Sequence, residues 1–159
     1  MIQTREFSYP SADGAHAVFA REWTPEGAPR GVVQIVHGVA EHTGRYDQLA
    51  RFLAGHGYLV CGEDHLGHGY TAGGKFGYFG PKGGWDLVSR DVRRLRELEG
   101  EKHPRLPYVM LGHSMGTAAI QEGAYLAYAK WQNVYNAALA KALEDGGDET
   151  AAAGAAYLA

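Results

Sequence analysis

A serine at position 114 lies at the centre of a short segment that could carry nucleophilic chemistry. Residues 112–116 read Gly-His-Ser-Met-Gly, directly after an apolar run at 108–111. The pattern Gly-x-Ser-x-Gly between a strand and a helix favours a sharp turn that exposes the serine hydroxyl, because side chains at the two glycine positions would collide with neighbouring backbone. The segment therefore predicts Ser114 as a nucleophile at the carboxyl end of a strand, where open α/β sheets bind ligands. The alternative is an ordinary strand-to-helix turn.

A second segment could stabilise the negative charge that such a nucleophile creates. Residues 37–42 read His-Gly-Val-Ala-Glu-His and follow another apolar run at 31–36. A turn of small residues at this place can point the backbone N–H of Val39 at an anionic oxygen, and the N–H of Met115 can do the same. Together they would form an oxyanion hole, in which each donor contributes about 3 to 4 kcal/mol at the transition state.

A serine nucleophile also needs a base, and the usual position for one is empty in this sequence. All eight histidines, from His16 to His113, precede Ser114. Asp145 and Asp148 follow it, but they lie in a predicted helix-ending turn, where aspartate is favoured for capping. We expect structural roles for the histidines nearest the predicted site, which are His37, His65, His68 and His113. Because a hydroxyl without an adjacent base is a weak nucleophile, the sequence predicts weak activity or none.

The segments that position these residues alternate between strand patterns and helix patterns. The predicted strands are Arg5 to Tyr9 and Ala17 to Trp23, which form a hairpin, and three buried strands at 31–36, 58–61 and 108–111. The predicted helices are 45–54, with Tyr46, Leu49, Ala50 and Leu53 on one face, and 85–99, with Val88, Val92, Leu95 and Leu98 inward. A glycine-rich loop covers 62–84. This alternation predicts an α/β fold with a mostly parallel sheet.

The character of the sequence changes after residue 116. Residues 117–159 contain fifteen alanines, against nine in the first 116 residues. Apolar residues recur at steps of three and four, which predicts one long amphipathic helix over 117–143. Its predicted inward positions are Ile120, Ala124, Ala127, Tyr128, Trp131, Val134, Tyr135, Ala138 and Leu139. We therefore divide the chain into residues 1–116 and an alanine-rich helical ending, 117–159.

Composition excludes several classes of function. The net charge is −3 and the basic residues are scattered, so the sequence lacks the electrostatic signature of nucleic-acid binding. It lacks an apolar stretch of membrane-spanning length, and we expect a cytoplasmic protein. Cys61 stands alone in an apolar run and is expected to be a buried, inert thiol. The mixed charges at 90–97 indicate a solvated helix face.

Two segments partly match the patterns of ligand sites, but each lacks a required feature, so we predict no cofactor and no metal. Residues 69–76 nearly match a phosphate-binding loop, but Phe76 stands where a hydroxyl must bind magnesium. Four residues on the loop after the second buried strand have metal-ligand chemistry, yet ligands from one short loop seldom converge without help from elsewhere. They are Glu63, Asp64, His65 and His68.

Three motifs together resemble a known family. Residues 37–46, read as His-Gly-Val-Ala-Glu-His-Thr-Gly-Arg-Tyr, are followed by Asp-His-Leu-Gly-His-Gly at 64–69 and by Gly-His-Ser-Met-Gly at 112–116. In type, order and spacing they are similar to the monoacylglycerol lipase and lysophospholipase branch of the α/β-hydrolases, over about residues 1–116. The resemblance implies Ser114 as nucleophile, Val39 and Met115 as oxyanion donors, esters of glycerol or related lipids as substrates, and sheet order 1-2-4-3-5.

Two functions are consistent with these observations. The first is a serine esterase of lipase ancestry whose base comes from a partner chain or a repurposed histidine. The second is a non-catalytic scaffold, a truncated or engineered hydrolase half whose 117–159 ending is natural or designed. In either case the fifth strand would have a free edge that invites pairing, so we expect a homo-oligomer.

Overall fold

Residues 1–144 are described by the computed structural model, except for the side chains of residues 131, 135, 139, 142 and 143. The predictions for Asp145, Asp148 and 151–159 lie outside this range. The strands are β1 (Gln3–Pro10), β2 (Ala17–Thr24), β3 (Val32–Val36), β4 (Leu59–Glu63) and β5 (Tyr108–Gly112). The helices are α1 (Asp47–Gly55), α2 (Gly84–Lys102) and α3 (Met115–Glu144), with single helical turns at Thr43–Tyr46 and Gly69–Ala72.

The strands form one mixed sheet in the order β1-β2-β4-β3-β5, which confirms the predicted order. β1 and β2 form the antiparallel hairpin, and β2 pairs antiparallel with β4. β3 is parallel to both β4 and β5, and Val36 at its end pairs with Gly112. Because parallel strands end at the same edge of a sheet, the segments after β3, β4 and β5 meet there. Those segments contain the three motifs.

Helices cover both faces of the sheet, as alternating side chains on the central strands require. Val60 of β4 packs with Ala50 and Ala54 of α1. Its neighbours Leu59 and Cys61 point to the opposite face, where they pack with Leu95 of α2. Cys61 is fully buried, and burial raises the pKa of its thiol, which confirms the prediction of an inert cysteine.

The two predicted helices differ in how closely the structure follows them. The prediction for α2 is confirmed: Val88, Val92 and Leu95 are buried and Leu98 packs beside them. The prediction of a helix over 45–54 was wrong in two respects. It begins as a separate turn at Thr43–Tyr46, and Leu49 is 37% exposed while Ala54 takes an inward position. The short α1 therefore packs on the sheet through alanines, which let the helix approach closely.

Two strand predictions are also corrected. β4 continues to Glu63, and the following residues 64–68 are buried, so the glycine-rich loop starts inside the protein. β5 is not fully buried: Val109 is 57% exposed and Leu111 is 44% exposed. The reason is that β5 is the last strand of the sheet among residues 1–144, so its outer face has less cover.

The long C-terminal helix is confirmed over Met115–Glu144. The chain forms two compact units, Met1–Gln121 and the residues from Glu122 onward, so the helix takes part in both. In the first unit, Ala119 is fully buried. In the second, Ala124 and Tyr128 are exposed, although their spacing predicted an inward face. Within the described range, no helix combines the length and apolar character that crossing a bilayer requires.

Within residues 90–97 of α2, Asp91 is buried, contrary to the solvated face predicted for this segment. Asp91 is 1% exposed and accepts hydrogen bonds from the hydroxyl of Ser11 and the N–H of Ala12, each at 2.7 Å. The hydroxyl of Tyr9 donates to its backbone carbonyl at 2.8 Å. Asp91 therefore fastens the β1–β2 hairpin to α2. Burial raises the pKa of Asp91 to about 6, although its hydrogen bonds from Ala12 and Ser11 act in the opposite direction.

This burial predicts how stability depends on pH. Between the ordinary aspartate pKa of about 3.9 and the folded value of about 6, the folded protein holds a proton that the unfolded chain releases, so stability falls as pH rises through that window. Asp91→Asn should not show this fall in stability. From pH 4 to pH 7, its free energy of unfolding should therefore rise by about 1 to 3 kcal/mol relative to that of the original protein. Urea unfolding at each pH measures it.

The control for this experiment is Asp86→Asn, which removes an exposed carboxylate from the same helix. It matches the change in net charge without touching the hairpin. If the free energies of unfolding of Asp91→Asn and of the original protein change equally from pH 4 to pH 7, Asp91 is not the source of the pH dependence of stability.

Candidate active site

Ser114 occupies a strained turn between β5 and α3. Its φ angle is 51°, in the left-handed region that side chains rarely adopt, and the residue is exposed. A Cβ at Gly116 would overlap the carbonyl oxygen of Val36 and lie 2.6 Å from that of His37. A Cβ at Gly112 would lie 2.7 Å from the backbone of Thr117. The two glycines are therefore sterically required, as the Gly-x-Ser-x-Gly pattern predicts.

The turn is tied to β3 and opens directly into α3. The N–H of His113 donates to the carbonyl oxygen of Val36 at 3.0 Å, and the N–H of Thr117 donates to the carbonyl oxygen of Ser114 at 3.0 Å. Met115 is the first residue of α3. The first N–H groups of a helix have no partner within the helix and carry a partial positive charge, so they favour an anion.

The loop after β3, residues 37–42, holds an equally uncommon conformation at Ala40. The φ angle of Ala40 is 59°, which costs about 1 kcal/mol or more for a residue with a side chain. The N–H of Ala40 donates to Nε2 of His68 at 3.2 Å, and Nδ1 of His68 donates to the carbonyl oxygen of Leu66 at 3.0 Å. His68 thus supports the bend from the β4 side, while the neighbouring Val39 is 59% exposed.

Two further histidines support the start of this loop from within the protein. Nδ1 of His37 donates to the carbonyl oxygen of Gly38 at 2.7 Å, and its Nε2 accepts the N–H of His65 at 3.0 Å. Nε2 of His65 donates to the carbonyl oxygen of His37 at 2.9 Å. Burial, together with the charge of His65, lowers the pKa of His37 to about 2. His37 is therefore a neutral, fully bonded ring, as its predicted structural role requires.

A buried carboxylate stands behind His65. Glu63, at the end of β4, has its Oε1 3.0 Å from Nδ1 of His65, and both side chains are fully buried. Burial lowers the pKa of His65, but the contact with Glu63 outweighs it, so the pKa is raised overall. The second carboxylate oxygen faces the amide of Gln34 at 3.5 Å. The pair supports the end of β3 through the His37 carbonyl.

Glu41 links the loop to the serine turn, a role the sequence analysis did not assign. Its Oε1 accepts the N–H of Gly38 at 2.9 Å and lies 2.6 Å from Nδ1 of His113. Burial would raise the pKa of Glu41, but the contacts with His113 and Gly38 outweigh it, so the pKa is lowered. Glu41 and His113 are 72 residues apart, so local sequence carries no signal of their contact.

The structure brings the predicted site residues to one edge of the sheet. Val39 follows β3, and Ser114 and Met115 follow β5, whose ends are paired. Within residues 1–144, no histidine ring hydrogen-bonds the Ser114 hydroxyl. The rings of His37, His65, His68 and His113 contact other groups instead.

The side chains considered as metal ligands are engaged in protein contacts. Asp64 accepts the N–H of Thr43 at 2.8 Å and that of Tyr70 at 2.9 Å. A Cβ at Gly69 would overlap its carboxylate, so the glycine makes room for Asp64. Over the described part of the chain, no three such side chains are arranged to share an ion. The Asp-His-Leu-Gly-His-Gly motif shapes the loop.

A pocket of about 440 Å³ lies beside the 37–42 loop. Val39 and Glu41 form part of one wall, and Phe76, which is 75% exposed, contributes from the glycine-rich loop. Apolar side chains therefore lie beside the proposed oxyanion donor.

Comparison with known proteins gives a family match and close relatives. The model of the family described as "Serine aminopeptidase, S33" matches residues 27–143, which includes most of α3. A monoglyceride lipase of Homo sapiens is 39% identical over 108 residues, 68% of this chain and 34% of that protein. A monoacylglycerol lipase of Mycolicibacterium smegmatis is 42% identical over 113 residues, 70% of this chain and 38% of that protein. The chain thus spans about a third of the length of these curated relatives.

Solved structures agree with the fold. A thermostable carboxyl esterase from Bacillus coagulans in complex with glycerol superposes with a TM-score of 0.74 and 32% identity, covering 92% of this chain and 52% of the esterase. A lipase in an open form gives a TM-score of 0.73 and 33% identity, covering 77% of this chain and 40% of the lipase. The sheet and helices described above are therefore those of an α/β-hydrolase.

The crowding at Gly116 predicts a severe loss of stability on adding one methyl group. Gly116→Ala would place a Cβ against two backbone carbonyls that cannot rotate away, so we expect a loss of about 2 to 4 kcal/mol in the free energy of unfolding. Chemical denaturation followed by circular dichroism measures it.

Gly123→Ala is the matched control, since a Cβ there meets nothing within 4 Å. Alanine favours an exposed helix by about 0.5 to 1 kcal/mol over glycine, so this variant should be slightly more stable. Equal effects of the two substitutions would contradict the steric assignment at Gly116.

Proposed function

Since the chain belongs to the Serine aminopeptidase, S33 family and has the α/β-hydrolase fold, we propose that it presents the acyl-transfer site of a serine esterase, with Ser114 as the nucleophile. The observation that carries the proposal is the left-handed turn at Ser114, whose φ angle is 51° between two glycines that admit no side chain. A connection between a strand and a helix does not by itself require a residue in the left-handed region, so the strain at Ser114 indicates a functional role.

The proposed chemistry is addition to an ester carbonyl. The oxygen of Ser114 forms a bond to the carbonyl carbon, and the carbonyl π electrons move to the carbonyl oxygen. The N–H groups of Val39 and Met115 would stabilise the resulting oxyanion, with help from the positive end of α3. When the tetrahedral species collapses, the C–O bond to the alcohol breaks, and the alcohol leaves with the proton that the Ser114 hydroxyl gave up. The acyl group remains on Ser114 until water adds to it, which releases the carboxylic acid and restores the hydroxyl.

For the substrate, we propose carboxylic esters of the monoacylglycerol type. Support comes from the two lipase relatives, at 39% and 42% identity, and from the carboxyl esterase that was solved with glycerol. The side chains of Val39 and Phe76 line a pocket beside the proposed oxyanion donor, which is consistent with a substrate that has an acyl chain.

We further propose that this chain alone turns over esters slowly or not at all. Attack by Ser114 requires that its proton be taken up, and four histidine rings in the loops after β3 and β4 and in the serine turn contact other groups. His37 and His65 bond the loop backbone, His68 accepts the N–H of Ala40, and the ring of His113 contacts Glu41. A base would have to come from another chain or from residues beyond those described.

An ester assay tests both proposals. We expect weak fluorophosphonate labelling and, with a short-chain p-nitrophenyl ester, at most the roughly 10³ to 10⁴-fold acceleration over water that an oxyanion hole and binding supply without a base. Ser114→Ala should remove the labelling. Robust labelling that this substitution abolishes would show that a base is supplied and would contradict slow turnover. Labelling that survives it would exclude Ser114 as the nucleophile.

A second candidate function is self-assembly as a non-catalytic scaffold, and the observation that favours it is the edge at β5. In the described sheet β5 pairs with β3 alone, and Val109 and Leu111 are exposed on it. An edge strand with apolar side chains and unpaired backbone groups invites another strand. A second copy of the chain could supply that strand.

Light scattering tests the assembly. We expect a dimer or larger species, and Val109→Lys should shift it toward monomer, because a charged side chain on an edge strand opposes pairing. Tyr125→Lys is the control, since Tyr125 is also exposed, at 66%, but lies on α3. A monomer at all concentrations for the original protein would exclude pairing through this edge.

A further inference from the structure

We propose that Glu41 is a positioning residue that holds the loop at 37–42, which contains Val39, against the turn at 112–116, which contains Ser114. We call the contacts of Glu41 with Gly38 and His113 the clamp. The inference rests on the proposed function, because it assumes that Val39 and Ser114 act together on one acyl group. Glu41 has no contact with the Ser114 hydroxyl and is not placed to react itself. Its role is to fix the distance and orientation between two segments that are separate in sequence.

The geometry for the clamp is a single carboxylate oxygen that serves both segments. Oε1 of Glu41 accepts the N–H of Gly38 at 2.9 Å and lies 2.6 Å from Nδ1 of His113. Gly38 directly precedes Val39, and His113 directly precedes Ser114. The two contacts therefore reach the residue next to each proposed functional group.

The loop and the turn are close enough for the clamp to matter. A Cβ at Gly38 would lie 2.5 Å from Oε1 of Glu41 and 3.2 Å from the carbonyl oxygen of His113. The peptide group that carries the Val39 N–H is held directly by His37, whose Nδ1 donates to the Gly38 carbonyl oxygen. The peptide groups on its two sides are held by Glu41 and by His68. A small rotation of that peptide would turn the donor away from the oxyanion.

The carboxylate is itself held in place. The hydroxyl of Tyr46 donates to Glu41, 3.2 Å from Oε2 and 3.3 Å from Oε1, and the carboxylate side chain is only 11% exposed. Nε of Arg45 lies 4.0 Å from Oε2. A charge-assisted hydrogen bond is about twice as strong as a neutral one. The anchored carboxylate therefore restricts the positions of both the 37–42 loop and the Ser114 turn.

The first test measures the loop without any need for catalysis. Amide hydrogen exchange followed by NMR should show the Gly38 N–H exchanging about tenfold faster in Glu41→Leu, because its acceptor is lost. His113→Phe should also speed up exchange at Gly38, since Glu41 loses its second anchor. Adding His113→Phe to Glu41→Leu should have no further effect, as expected for two residues that act through one contact.

The second test measures the site. Phenylboronic acid should form a tetrahedral adduct at Ser114, seen as an upfield ¹¹B signal that Ser114→Ala abolishes. We expect Glu41→Leu to weaken the adduct at least about tenfold, because a misplaced oxyanion donor loses most of its effect. Glu41→Gln, which retains the acceptor oxygen, should stay within about threefold of the original protein. Arg45→Met, which removes a neighbouring charge but not the clamp, should leave the adduct unchanged.

The outcomes separate the clamp from the proposed function. If the original protein forms no adduct, the exchange experiment alone decides the clamp, and the ester assay with Ser114→Ala decides the assignment of Ser114. Unchanged exchange at Gly38 in Glu41→Leu overturns the clamp, as does an unchanged adduct in that variant. If Glu41→Leu does not fold, His113→Phe decides, because the His113 side chain is 64% exposed and can be replaced at the surface.

Discussion

The close approach of the Ser114 turn to the end of β3 is the constraint on which the rest of this structure depends. Gly116 lies so near the carbonyl oxygens of Val36 and His37 that a single methyl group cannot be accommodated. That contact fixes the first turn of α3 and holds the serine at the edge where the parallel strands end. The loop after β3 must then fit against the same turn, which explains the uncommon backbone at Ala40.

Polar side chains stabilise this crowded edge, and three of them are histidines. His37, His65 and His68 each bond backbone groups of the loops after β3 and β4. Burial keeps His37 neutral, whereas Glu63 raises the pKa of His65. A ring that is fixed in this way cannot also turn toward the serine. The serine turn is therefore fixed at this edge, and the three histidine rings support the loops beside it.

The difference between the serine turn and the base that the proposed chemistry needs has a simple physical basis. The serine turn and the proposed oxyanion donors are backbone features, and they depend on short contacts between β3, β5 and α3. A base is a side chain that must be delivered from another part of a fold. The family relatives are about three times as long as the matched region, so this chain corresponds to the part that builds the turn and the loop.

The sequence alone determined the order of strands and helices, the strand–turn–helix at Ser114 and the need for its two glycines, because these follow from local periodicity and from the sterics of a tight turn. The sheet order was implied by the three motifs through the family they resemble. Only the tertiary structure revealed the burial of Asp91, the exposed face of β5 and the contact between Glu41 and His113. These depend on residues far apart in the chain, and a charged residue in a mixed-sign helix gives no sign that a distant hairpin will cover it. The division of the chain at residue 116 remains a prediction. Local patterns predicted the elements, and long-range packing decided which polar groups became their supports.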